Sequence, residues 1–404
     1  MEIVKKQEFG EVTLMKRAIF ALLVISACSD PSLAKYSGGS GDAGNPYQIA
    51  NIADLLTLAN DVNDYDKCFL MTADINMQGQ VFMTACIAPD TDSTPGSGFN
   101  GTPFTGAFDG DNHSIVNLTI NVGPNSKCSL GLFGCIGQGG LVKNTGIEDV
   151  NIAGEYSSDF VGGLCGYNYY GSIINCYSTG SIAGNHYGAG GLCGYNRNGT
   201  ITDSFSNAAL NGGWNAGGLC GDIAYGNIIN CYSTGNVSGD SAIGGLFGYS
   251  HDSNISDCFS TGQVTGTTET GGLFGAINYG SISNCYSTGD VIGINWTGGL
   301  CGVIFNGNVI DCYSTGQTSG VEATGGLCGQ SDGNIISCYF LETAGPTNGF
   351  GAPLTDTQMK QHSSFIGWDF NDVWHVCEGH DYPKLYAFGA YSGGSGTSDD
   401  PFQI

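Results

Sequence analysis

Few residues of this 404-residue chain are of types and spacings that could do chemistry. Asp109, Asp111 and His113, in Phe-Asp-Gly-Asp-Asn-His, form its best acidic grouping. Two carboxylates separated by Gly110 suit a tight turn, and the functional counterpart is a weak calcium site with Asp109 and Asp111 as ligands. Seventeen cysteines raise disulfide and metal chemistry. No Cys-x-x-Cys spacing occurs and the six histidines are scattered, so a metal site lacks its usual ligand pattern. Between residues 162 and 345 the one basic side chain is Arg197, and acids are thinly spread. A polysaccharide lyase or hydrolase needs an acid–base pair and a cation for its substrate, so no catalytic residue is assigned.

The cysteines fall in columns. Cys165, Cys193, Cys220, Cys301 and Cys328 share one place of a Gly-Gly-Leu-x-Gly motif, where other copies carry Phe247 and Phe274. Cys176, Cys231, Cys258, Cys285, Cys312 and Cys338 form a second column, which accepts Ser204. A place that takes Cys, Phe or Ser is a packing site, so both columns read as reduced, buried ladders. Cys68, Cys86, Cys128 and Cys135, outside the regular array, are the better disulfide candidates.

These columns exist because the chain repeats. The motif leucine recurs at 164, 192, 219, 246, 273, 300 and 327, at spacings of 28 and then 27 five times. Within each repeat aliphatic residues stand nine apart, as in Leu219, Ile228 and Val237, most with Gly two places earlier. Three nines per repeat imply a three-sided coil with an inward aliphatic on each side and glycine easing each corner. The expected fold is all-β: a right-handed parallel β-solenoid of about 27 residues per coil with a short N-terminal capping helix.

Stacking would set equivalent residues one strand spacing apart, about 4.8 Å. One polar column then reads Asn175, Asp203, Asn230, Asp257, Asn284, Asp311 and Ser337, an amide ladder whose alternation spaces its carboxylates. An aromatic column reads Tyr177, Phe205, Tyr232, Phe259, Tyr286, Tyr313 and Tyr339, expected to be structural rather than a sugar-binding strip. Ser-Thr pairs such as Ser233-Thr234 would also stack, but adjacent residues do not face one flat ice-binding surface.

The flanks suggest the remaining boundaries. Lys16, Arg17 and the apolar run 18–27 resemble an export signal in 1–34 with a true start at Met15, cleaved after Ala34, or lipid-anchored through Cys28. Residues 35–66 read as an N-terminal cap segment, with Asn51 capping a helix and Asp54 in its first turn. Residues 67–161 read as irregular first coils, 162–345 as seven regular repeats, and 346–389 as a C-terminal cap with Trp368 and Trp374 covering the far end. Residues 390–404 repeat 35–49 and read as the start of a second module, so further modules of the same polypeptide are expected.

The segment 162–184, Gly-Gly-Leu-Cys-Gly through Ser-Ile-Ala-Gly, resembles the GLUG repeat family of bacterial secreted and cell-surface proteins, over residues 162 to about 340. That resemblance, to a family that includes adhesin-like chains, implies a β-helix-like fold and an extracellular home, and exposed faces rich in Asn, Ser, Thr, Tyr and Gly suit glycans or host and cell-surface proteins as partners. With 36 acidic against 11 basic residues, a net charge of −25 repels nucleic acid, and no stretch is apolar enough for a membrane span. The expectation is a secreted or surface structural module with no cofactor beyond calcium; the alternative is a polysaccharide-active β-helix enzyme.

Overall fold

A repeat of 27 residues must bring each coil back above the last, because one coil cannot bury its own apolar side chains. The computed structural model does this; it describes residues 34–388 apart from 92–98, 123–128 and 155–159. The export signal with Cys28, the residues 390–404 and Cys128 lie outside the described residues.

The chain winds into a parallel β-solenoid. One coil runs Cys220–Ala224, Asn227–Ile229, Tyr232–Ser233, Val237–Ser238 and Ser241–Gly244. The first of these segments joins its counterparts in an eight-stranded parallel sheet, one strand from each of eight successive coils. The other segments pair coil to coil in a second, 32-stranded sheet. Register is kept residue for residue: Cys165 faces Cys193, Cys193 faces Cys220, and Cys220 faces Phe247. Leu164, Leu192, Leu219, Leu246, Leu273, Leu300 and Leu327 are all buried in one continuous core. Each leucine removed from water contributes about 1.5–3 kcal/mol, which offsets the entropy of ordering so many short strands.

The corners are built differently from the sequence expectation. Left-handed backbone falls mainly on non-glycine residues, including the whole polar column: Asn175, Asp203, Asn230, Asp257, Asn284, Asp311 and Ser337 have φ between 49° and 56°. Asn and Asp tolerate this region better than other side chains, which is why the column is Asn and Asp. Most repeat glycines are required by space instead. A Cβ on Gly218 would stand 2.2 Å from the Gly245 carbonyl oxygen and 2.2 Å from Ser233 Oγ in the neighbouring backbone and core.

At the N-terminal end the helix Ile52–Asn60 is capped by Asn51, which accepts from the Ala53 and Asp54 N–H groups, and buries Leu55 and Leu58. Asp54 also accepts from Ser37 N at 3.0 Å, Ser37 Oγ at 2.6 Å and Ala50 N at 2.9 Å, tying the entering strand to the helix.

The tryptophans do not cover the far end. Residues 355–388 fold back along the flank and lie over the aromatic column. Trp374 packs 6.1 Å from Tyr286 and 6.0 Å from Tyr313, Phe365 5.3 Å from Tyr339, and Phe388 4.8 Å from Phe259 and 5.4 Å from Tyr232. The half-buried ring ladder offers apolar area along the axis, and the strap takes it. At the last coil Phe340 takes the register place of Ser314 and fills the space under Gly326, while Ala352–Leu354 adds a final strand.

Candidate functional site

The ladders of the second sheet are bound into the fold. In the polar column Asn175 donates to Asn144 at 2.8 Å, Asn230 to Asp203 at 3.1 Å and Asn284 to Asp257 at 3.1 Å. Asp311, near the far end, has its carboxyl pushed up by burial. Adjacent rings of Tyr177, Phe205, Tyr232, Phe259, Tyr286 and Tyr313 stack at 4.8–5.1 Å with planes within 6°. The aromatic column is thus partly under the strap and partly open at Tyr177 and Phe205.

The second cysteine column has a polar task that packing alone does not express. Cys176, Cys231, Cys258, Cys285, Cys312 and Cys338 each direct Sγ at the carbonyl two residues back, at 3.0–3.3 Å. Ser204 does the same with its hydroxyl at 2.7 Å. The residue spanned is always the left-handed Asn, Asp or Ser, so the thiol or hydroxyl staples the corner, and Cys exchanges with Ser on that ground. The cysteines of both columns are free thiols, as are Cys68, Cys86 and Cys135, so these three form no disulfide here. Burial pushes the thiols of Cys86 and Cys176 up to about 12. Such buried thiols are poor nucleophiles and poor metal ligands.

Asp109 and Asp111 do not converge. Asp109 is already occupied by donors: Lys143 Nζ at 2.9 Å, Asn144 Nδ2 at 2.9 Å and the Asp111 N–H at 3.0 Å. Lys143 thus neutralises Asp109, and Asp111 and Asn112 are the left-handed residues of a turn. No group of three His, Cys, Asp or Glu side chains able to hold a metal occurs among the described residues. The Ser column (Ser178, Ser206, Ser233, Ser260, Ser287, Ser314) is buried against the Gly-Gly pairs, so Ser and Thr share no surface. Gly329-Gln330-Ser331-Asp332-Gly333 has the Gly-x-Ser-x-Gly spacing of a hydrolase nucleophile. Ser331 ends a solenoid strand and its Oγ accepts the Gly333 N–H at 3.1 Å, without the strand-to-helix turn that chemistry needs.

Aromatic and titratable side chains line the outward face of the eight-stranded sheet, where Tyr167, Asp222, Ala276 and Val303 are nonetheless buried. One register column there runs Tyr167, Tyr195, Asp222, Tyr249, Ala276 and Val303. Tyr167 and Tyr195 stack at 5.2 Å and 13°. Phe160 packs against Tyr195 at 4.9 Å, and Arg197, hydrogen-bonded to Tyr167, is the face's cation. Asp222 replaces a tyrosine in this column and is 6% exposed. Burial pushes its carboxyl up to about 6, against hydrogen bonds from Asn215, Tyr187 and the Ile223 N–H. Glu269, near Tyr249, is raised as well, by the same cause. The sequence reading missed Asp222. The signal was there, since aligning the repeats sets it against Tyr167, Tyr195 and Tyr249.

This coil, with its buried leucine, paired glycines and stapled corner, is the unit that family comparison recognises. Three of these coils carry the GLUG motif. The family model matches residues 161–183, 212–238 and 239–265. Halomucin of Haloquadratum walsbyi is 31% identical over 156 residues, 37% of this chain and 2% of halomucin. A Gly-rich protein of Evansella cellulosilytica, described as a candidate membrane protein, is 31% identical over 134 residues, 33% of this chain and 14% of that one. The chain therefore spans a small fraction of these curated relatives. A crystal structure from Bacteroides ovatus, described as a candidate immunoglobulin A1 protease, superposes with a TM-score of 0.51 and 21% identity, over 88% of this chain and 96% of that one. At that identity the likeness concerns the GLUG-bearing solenoid fold. No helix among the described residues is long and apolar enough to cross a membrane.

Proposed function

We propose that the chain is an extracellular or cell-surface adhesive module, a stiff rod that displays one repeated flank to glycans or to proteins of another surface. The observation that carries this reading is the outward face of the eight-stranded sheet. It presents Tyr169, Arg197, His251, Asn278 and Phe305 in one register column, on a backbone whose hydrogen bonds are made between coils. The GLUG repeats and the export-like N-terminus support the same reading. A glycan array probed with the full chain, with and without calcium, tests it. Saturable binding to one glycan class is the expected result, and a blank array together with no adhesion to cells refutes it.

The polysaccharide-cleaving alternative draws on one observation: Asp222 and Glu269 both lie near Tyr249 with raised pKa values. A carboxyl raised to about 6, as that of Asp222 is, is the kind that donates a proton near neutral pH. Reducing ends released by the wild type and lost in Asp222→Asn would establish that reading over the first.

A further inference from the structure

At the corner that follows six successive strands of the eight-stranded sheet, from Cys165–Tyr169 to Cys301–Phe305, the backbone is left-handed at an equivalent residue. The residues there are Tyr170 (φ 59°), Asn198 (55°), Tyr225 (55°), Asp252 (47°), Tyr279 (59°) and Asn306 (53°). Each conformation is enforced from the next coil: the N–H of Tyr170 donates to Arg197 O, that of Tyr225 to His251 O, and that of Tyr279 to Phe305 O, at 2.8–3.0 Å. Asn and Asp suit this geometry. Tyrosine does not, and a bulky side chain held there costs about 1–2 kcal/mol.

Nothing in the core offsets that cost. Tyr170, Tyr225 and Tyr279 are 46%, 51% and 49% exposed, so half of each side chain faces water. Their rings are nevertheless oriented by neighbours. Tyr169 meets Tyr170 at 4.7 Å and 86°. His251 lies between Tyr225 and Tyr279, at 5.3 Å and 89° from one and 6.1 Å and 90° from the other. The Tyr225 hydroxyl is 3.3 Å from His251 Nε2. Three strained, exposed and oriented rings thus stand in line along the axis at every second coil, about 9.6 Å apart.

From this juxtaposition we infer that the Tyr170–Tyr225–Tyr279 edge is a binding strip for an extended, neutral β-1,4-linked polysaccharide. This rests on the adhesive reading and names the ligand class of that flank. In a β-1,4-linked chain alternate sugars are turned over, so the same apolar C–H face recurs at every second sugar, a period close to two coils. A row of rings with that period stacks alternate sugars. Asn198 and Asp252, which occupy the coils between, and Asn306, in the coil after Tyr279, offer amides and a carboxylate to the hydroxyls of the other, alternate sugars. Curled α-linked or β-1,3-linked chains do not keep step with a straight row. The net charge of −25, with Arg197 as the regular array's one basic residue, disfavours anionic polysaccharides.

The test measures binding of the full chain to cellohexaose and chitohexaose by calorimetry, with laminarihexaose and polygalacturonate as controls. Binding to a β-1,4 oligomer and not to the controls is expected. Tyr225→Asn should weaken it about tenfold. Because Asn suits the left-handed corner, the same substitution should raise the unfolding midpoint, which separates lost binding from lost folding. Cells or other glycans bound undiminished by the triple variant Tyr170→Asn/Tyr225→Asn/Tyr279→Asn overturn the strip and leave the adhesive reading standing. A chain that binds no glycan at all, and no cells, overturns both.

Discussion

Asp222→Asn should stabilise the protein at neutral pH and leave it nearly unchanged in acid. The carboxyl is 6% exposed and its pKa is raised from 3.8 to about 6, chiefly by burial. The fold therefore prefers the protonated acid. That preference is fully present below the unfolded value of 3.8 and is lost as the pH rises through about 6. About two pKa units at about 1.36 kcal/mol each amount to about 3 kcal/mol. Asparagine has similar size, can accept from Asn215 and never ionises, so it lacks this pH-dependent loss. Urea unfolding of both proteins from about pH 4 to about pH 8 should show the variant's advantage growing by about 3 kcal/mol across that interval. Taking the difference at each pH cancels Asp74, Asp109 and Asp356, whose pKa values are lowered by their partners and whose contributions run the other way. An advantage that stays flat with pH would refute the claim that a buried, ionisable Asp222 strains the neutral-pH fold.

Three further substitutions probe the coil itself. Gly218→Ala sets a methyl 2.2 Å from the Gly245 carbonyl oxygen, where backbone must yield, and should lower stability by about 1–3 kcal/mol in thermal unfolding. Asn230→Ala should cost about 1–2 kcal/mol through its left-handed backbone, plus the bond to Asp203, whereas Asn230→Gly should cost distinctly less; calorimetric midpoints of the two variants decide the order. Trp374→Ala removes a fully buried ring from the strap and should cost about 3–5 kcal/mol locally, read as early proteolytic cutting within residues 355–388 while the coils resist.

The solenoid was legible because its period is written in the largest apolar residues. Leu219, Ile228 and Val237 mark a coil, and the next coil marks it again. What the residue types did not reveal was backbone sign. Asn230 and Asp257 look like an amide ladder in sequence, and the ladder is there, but the left-handed corner that selects them is a conformational fact without a periodicity of its own. Cys258 was readable as buried and not as a hydrogen-bond donor, because only the corner gives its thiol an acceptor at 3.0 Å. The strap was misplaced for a related reason. Trp368 and Trp374 announce an apolar surface to be covered, and a sequence does not say whether that surface is the end of a stack or its side. Asp222 hid as one ordinary acid among 36 acidic residues until register set it in a column of tyrosines.

The strap also bears on the order in which the molecule comes apart. Repeat arrays commonly fray from an end, one unit at a time, because each unit touches only its neighbours. Here residues 355–388 touch Tyr232, Phe259, Tyr286, Tyr313 and Tyr339, rings from five successive coils. None of those coils can leave singly without stripping the segment from the rest. The C-terminal half therefore behaves as one locked block, while coils before Tyr232 keep the freedom to open stepwise, and unravelling under load should begin at that boundary's N-terminal side.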